Sequence, residues 1–162
     1  MLTFCVRHLC RPRITELQEE LRALGATAVV VKDDAFAASK MIGRAKLGLN
    51  CIGGELSTVL AKMLGDGASL VTYGGMSKRP LIVPTSLMIF KDIKCYGFWL
   101  TRWTQQHGAE EKEKMMKEVL SLIRNGEIRM GVEEVPLSQF KEGVELAMSA
   151  YRSKKVVLKC SD

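Results

Sequence analysis

Histidine, proline and aromatic residues are scarce in this chain, and cysteines never stand in pairs. Each scarcity removes a class of chemistry. The two histidines, His8 and His107, are far apart in sequence, and no C-x-x-C occurs among Cys5, Cys10, Cys51, Cys95 and Cys160. Ligand spacing for zinc is therefore missing, and no metal site is expected. An odd number of dispersed cysteines argues for buried free thiols in a reducing compartment. No run of about eighteen apolar residues is present, so no segment reads as a membrane-spanning helix. Aromatics make up 6% of residues, so the core must be built from aliphatic side chains and methionine. No Ser–His–Asp arrangement can be argued, and we assign no catalytic residue. The glycine pattern G-x-G-x-x-G is also absent.

What is present is enough for one domain: 162 residues, 47% of them hydrophobic. The net charge of +6 favours anionic partners. The basic residues are scattered and often stand beside acids, as in EEKEKMMKE (110–118). No basic stripe with interleaved aromatics forms, so nucleic acid is not expected. The first fifteen residues hold Arg7, His8, Arg11 and Arg13 and no acid. That composition suits an organelle-targeting leader, but LTFCVRH reads better as a strand leading into an ordinary helix.

Apolar runs alternate with helical periodicity, which predicts a βαβ layout with a mainly parallel sheet. Strands are expected at Leu2–Arg7, Thr27–Val31, Lys46–Cys51, Ala68–Thr72, Ile93–Leu100, Val132–Val135 and Lys155–Lys159. A helix opened by Pro12 carries Leu17, Leu21 and Leu24 and stops at Gly25. Asp33 or Asp34 caps a helix over 35–42. A helix over Glu55–Leu64 ends near Gly65. Thr85 or Ser86 caps a single turn over Leu87–Phe90. A helix over roughly 109–125 presents Met115, Val119, Leu122 and Ile123 on one face and closes at Asn125-Gly126. A last helix aligns Leu137, Phe140, Val144, Ala147 and Tyr151.

A dinucleotide-binding fold normally begins strand, glycine-rich turn, helix, in the order 3-2-1-4-5-6. This sequence opens on what reads as the second strand. The expected fold class is therefore α/β, an incomplete Rossmann-like doubly wound parallel sheet lacking the first strand and the glycine-rich turn. Without that central strand its two neighbours lose a shared partner, unless they close up or another chain supplies a strand. Unsatisfied buried backbone groups cost about 1–3 kcal/mol each, against a net stability of about 5–15 kcal/mol. We expect the chain to be a portion of a longer protein, 1–162 forming a truncated dinucleotide-binding domain with a closing helix and strand.

Two strands end in glycine pairs. LNCIGG (49–54) ends in Gly53-Gly54, and VTYGGM (71–76) runs into Tyr73-Gly74-Gly75-Met76. Ligands of open α/β sheets sit at carboxyl ends of strands, and glycine lets backbone approach a phosphate or ring. Asn50–Gly54 is otherwise a tight turn, and Tyr73 a wall residue. Arg7 ends the first apolar run and Arg11 precedes Pro12. In dinucleotide folds an arginine near the end of the second strand accommodates a 2′-phosphate. Arg7 and Arg11 thus favour NADPH over NADH, against the alternative of surface arginines on a loop.

The ordered set LNCIGG, TYGGMSKRP, IFKD and GFWL resembles the cofactor-domain half of the mitochondrial 2-enoyl thioester reductases, of the medium-chain dehydrogenase/reductase superfamily. The resemblance runs from Cys5-Val6-Arg7 to Lys154–Val157. It implies NADPH as cofactor and a trans-2-enoyl thioester of coenzyme A or acyl carrier protein as substrate, in mitochondrial fatty acid synthesis. The family's R-D-R-P matches Arg7 and Arg11-Pro12, although His8, Leu9 and Cys10 stand where the family has one residue. Tyr73, Gly74, Gly75 and Met76 match backbone lying along the cofactor. Phe98, Trp99, Leu100 and Thr101, read as the close of a strand, match the stretch lining the nicotinamide. Lys154 matches a lysine that reaches the cofactor. The superfamily's pairing across a two-fold axis implies a homodimer or heterodimer through Cys95–Leu100. The family's catalytic tyrosine lies in an amino-terminal domain, and Tyr73, Tyr96 and Tyr151 do not match it. The chain is expected not to turn over alone. The alternative is a non-catalytic module that dimerises with a full-length reductase.

Overall fold

The computed structural model describes residues 4–7, 14–31, 34, 37, 40, 45–129, 131–149 and 154–160, with the backbone alone at 4–7, 14, 16, 17 and 31. The chain divides into two compact units, Met1–Leu100 and Thr101–Asp162.

In the first unit, β1 (Phe4–Arg7) pairs in parallel with β2 (Ala28–Val31) through α1 (Ile14–Ala23). A second sheet holds β3 (Ala45–Asn50), β4 (Leu64–Thr72) and β5 (Lys94–Gly97), all parallel and in that spatial order. Helix α2 (Gly54–Met63) links β3 to β4, and α3 (Thr85–Lys91) precedes β5. Among the described residues β1 and β3 each have one strand partner, and they do not pair with each other. That is the arrangement expected of a doubly wound sheet without its central strand, and the two flanking strands do not close the gap by pairing.

The core of this unit is aliphatic: Ala61, Leu64, Ala68, Leu70 and Ile93, with Ala45, Leu60, Val83 and Leu87 packed around them. Leu64 and Leu70 are fully buried, each contributing about 1.5–3 kcal/mol. Gly48 makes this packing possible, because a Cβ there would lie 3.2 Å from both Leu64 and Leu70. Burial alternates along β3, with Gly48 and Asn50 inside and Leu47 and Leu49 exposed. The alternation is the strand period of two: α2 and the core occupy one face and leave the other open.

The second unit contains α4 (Leu100–Gln106, its first residue at the boundary), α5 (Ala109–Arg124), β6 (Val132–Pro136), a 3-10 turn (Leu137–Gln139), α6 (Phe140–Met148) and β7 (Lys155–Lys159). Strands β6 and β7 pair in parallel. Glu110 and Glu111 in the first turn of α5 and Arg124 in the last complement the helix dipole. Helix α6 rests on the strands through buried Gly143, where a Cβ would lie 3.0 Å from Leu158 and 3.3 Å from Val135.

Several expectations are corrected. Strand β4 begins at Leu64 rather than Ala68, directly after α2, because burying Leu64 draws the chain straight back to the sheet. The register shift between Ala45 and Leu47 absorbs the irregularity. Helix α3 is capped by Pro84, with no side-chain cap bond from Thr85 or Ser86. The strand expected over Ile93–Leu100 ends at Gly97, and Leu100 and Thr101 open α4, which has no counterpart in the sequence reading. Of the stripe expected on the last helix, Leu137 falls in the 3-10 turn before it, Leu137, Phe140 and Val144 are about half exposed, and the buried position is Gly143. Among the described residues the thiols are free but not buried: Cys51 is half-buried, and Cys95 and Cys160 are exposed; the side chains of Cys5 and Cys10 lie outside the described residues. The helix expected over 35–42 lies mostly outside the described residues, and Tyr151 lies wholly outside them.

Candidate cofactor site at the strand ends

Strands β3 and β4 finish together, with Asn50 opposite Thr72. Asn50 is 4% exposed. Its Nδ2 donates to Thr72 Oγ1 at 3.1 Å. Its Oδ1 accepts from the amides of Ile52 (3.2 Å) and Gly53 (3.1 Å). An asparagine ending a strand thus folds the following residues into a turn by binding amides two and three positions on.

The turn at 51–54 is laced to the segment after β4. Tyr73 N donates to Asn50 O, Met76 N to Cys51 O and Ser77 N to Ile52 O, each at 3.0 Å. Ser77 Oγ donates to Ile52 O at 2.6 Å. Further along, Gly54 N donates to Pro80 O, and Ser57 Oγ donates to Gly54 O and accepts from Ile82 N. The lacing leaves little room for a side chain at two glycines. Gly53 has φ +80°, and a Cβ there would lie 2.9 Å from Arg79 O. A Cβ on Gly74 would lie 3.1 Å from Cys51 O. Gly75, by contrast, has nothing within 4 Å of a Cβ. The Gly74 and Gly75 amides have no hydrogen-bond acceptor among the described residues.

The end of β5 joins the same edge, since Phe98 N donates to Thr72 O at 2.9 Å. Tyr73, Phe98, Trp99 and Leu100 are about half exposed there, and Met76 is 80% exposed. Three adjacent parallel strands therefore end in one apolar, partly aromatic rim beside two available backbone donors. Arg7 ends β1 in the same unit, its backbone in register with Val31. Arg11 lies outside the described residues. Thr101, in the first turn of α4, and exposed Lys154, just before β7, belong to the second unit.

Among the described residues no cluster of three His, Cys, Asp or Glu side chains is placed to hold a metal. His107 stacks on Trp103 with ring centroids 4.3 Å apart, and its Nδ1 lies 2.7 Å from Trp103 O. It closes α4 structurally. Of the lacing side chains, Asn50 was marked as the start of a turn, while Thr72, Ser57 and Ser77 were not singled out. The signal was there for Asn50, an asparagine three residues ahead of a glycine pair. Ser57 and Ser77 carried none.

No family model matches the chain. The human mitochondrial enoyl-acyl-carrier-protein reductase is 35% identical over 154 residues, spanning 91% of this chain and 41% of that protein. The enzyme of the same name from Yarrowia lipolytica is 40% identical over 148 residues, 87% of this chain and 39% of its own length. This chain is a homologue of the mitochondrial enoyl thioester reductases. It spans about two-fifths of the curated relatives it matches. The complex of Etr1p with NADP and crotonyl-CoA superposes with a TM-score of 0.79 at 30% identity, over 91% of this chain and 45% of that one. The Etr1p/Etr2p heterodimer from Candida tropicalis gives 0.80 at 30% identity over the same shares. A quinone reductase from Bacillus thuringiensis, 20% identical with a TM-score of 0.76, shares the fold.

Proposed function

We propose that this chain is the nicotinamide-binding portion of an NADPH-dependent 2-enoyl thioester reductase of mitochondria. The observation that carries the reading is the meeting of the β3, β4 and β5 ends around the available Gly74 and Gly75 amides. Backbone donors without an acceptor among the described residues, beside an apolar rim, suit a planar ring bearing a carboxamide. NADPH bound there supplies a hydride for the β-carbon of a trans-2-enoyl thioester, on coenzyme A or acyl carrier protein. Gly74 and Gly75 bind the carboxamide end, Tyr73 and Met76 flank it, and Phe98, Trp99 and Leu100 wall the ring. Arg7, with Arg11, reads the 2′-phosphate.

The chain does not turn over substrate by itself. It has no G-x-G-x-x-G turn, and hydride transfer depends on near-attack geometry, worth several orders of magnitude in rate, which one wall of a cleft does not supply. The test is a titration of the purified chain with NADPH and NADH, following nucleotide fluorescence and thermal melting. NADPH is expected to raise the melting temperature and NADH to leave it unchanged, with no oxidation of NADPH on adding crotonyl-CoA. A melt indifferent to both nucleotides overturns the reading.

A second reading is favoured by one feature: Cys95, Tyr96, Phe98, Trp99 and Leu100 are all exposed on and after β5, which among the described residues has β4 as its one strand partner. In it, this edge joins a second copy or a full-length reductase. Co-purification with such a reductase in the absence of NADPH binding supports this module role; a monomer that binds NADPH contradicts it.

A further inference from the structure

We propose that Asn50 is a positioning residue for the nicotinamide end of this site, clamping the ends of β3 and β4 so that the Gly74 and Gly75 amides are held in place. The inference rests on the cofactor reading above and adds a residue that does not itself touch the cofactor. An asparagine amide offers two donors and two acceptor sites. Asn50 spends both acceptor sites on the turn after β3, at Ile52 N and Gly53 N, and a donor on Thr72 at the end of β4. Two amides facing one side of the group fix which atom is the oxygen. The side chain is thus a three-point brace, buried where water cannot replace it.

The brace acts on the platform through short links. Cys51 O holds Met76 N, Ile52 O holds both Ser77 N and Ser77 Oγ, and Cys51 lies against Gly74. Moving the 51–53 turn therefore moves the 74–77 segment with it. Core residues Ala61, Leu64, Leu70 and Ile93 lie in a separate cluster, so loosening the brace need not loosen the fold.

The test compares Asn50→Ala, Asn50→Asp and Thr72→Val with the unsubstituted chain, by site-resolved amide hydrogen exchange and by binding of two nucleotides. NADPH carries the nicotinamide; adenosine 2′,5′-bisphosphate lacks it. Asn50→Ala is expected to speed exchange roughly tenfold or more at Ile52, Gly53, Tyr73, Met76 and Ser77, with residues 61–70 unchanged. It weakens NADPH binding by about tenfold and leaves the bisphosphate unaffected. Asn50→Asp recovers both, because a carboxylate accepts both amides and the Thr72 hydroxyl turns to donate. Thr72→Val keeps the fold if Asn50→Ala does not, and speeds exchange at Tyr73, Met76 and Ser77 alone. Unchanged exchange at Tyr73, Met76 and Ser77, or equal weakening of both nucleotides, overturns the proposal. If the unsubstituted chain binds neither nucleotide, the reductase reading fails, and the exchange arm still decides the clamp.

Discussion

The two strand junctions at this rim differ in how they are held. Between β3 and β4 the ends are braced by a buried asparagine, a serine and three backbone bonds to the turn. Between β4 and β5 the ladder ends on a single bond from Phe98 N to Thr72 O, and the residues beyond it are exposed. One junction is built before any ligand arrives; the other presents apolar and aromatic surface to be covered. A cofactor platform needs both, because preorganised donors reduce the ordering cost of binding and open rings supply the buried area.

Substitutions can separate the roles. The largest effect is expected at the shared foundation: Leu70→Ala, at a fully buried position, costs about 2–5 kcal/mol and shows as a large fall in the denaturation midpoint. Gly53→Ala comes next, since its φ and the Arg79 carbonyl both oppose a Cβ; about 1–3 kcal/mol is expected, read in the same melt, together with weaker NADPH binding. Gly75→Ala sharpens the contrast. Open space around it keeps stability within about 0.5 kcal/mol, while the added methyl group obstructs the nicotinamide, so binding falls and the melt stays. Smallest of all is Trp99→Ala, exposed and past the last ladder bond: stability again stays within about 0.5 kcal/mol, and the measurable change is a modestly weaker NADPH affinity. A Gly75→Ala variant that melts early, or a Trp99→Ala variant that unfolds, breaks the comparison.

Much of this architecture was legible because periodicity and stop signals agreed. Helix α1 ends where Gly25 takes φ +93°. Helix α5 begins with its acids and closes at Asn125-Gly126, and β7 coincides with the run Lys155–Lys159. The glycine pairs also marked the correct strand ends. What was not legible depended on tertiary contact. GFWLT is apolar and aromatic enough for a strand, and only the end of the β4 ladder at Thr72 turns it into a loop and helix. Leu137, Phe140 and Val144 form a sound helical stripe, but a glycine packs closer to a sheet than any of them, so Gly143 takes the buried face. Cys95 sits in a strand-like run whose exposure follows from having a neighbour on one side. Asn50 was visible as a turn former, whereas its bond to Thr72 spans 22 residues and has no local sign.

The most direct measurement is the NADPH footprint on the intact chain by amide hydrogen exchange. Slowed exchange at Gly74, Gly75 and residues 98–100, with β6 and β7 unchanged, is the result predicted here. A footprint elsewhere, or none at saturating NADPH, would contradict the assignment of this rim as the nicotinamide site.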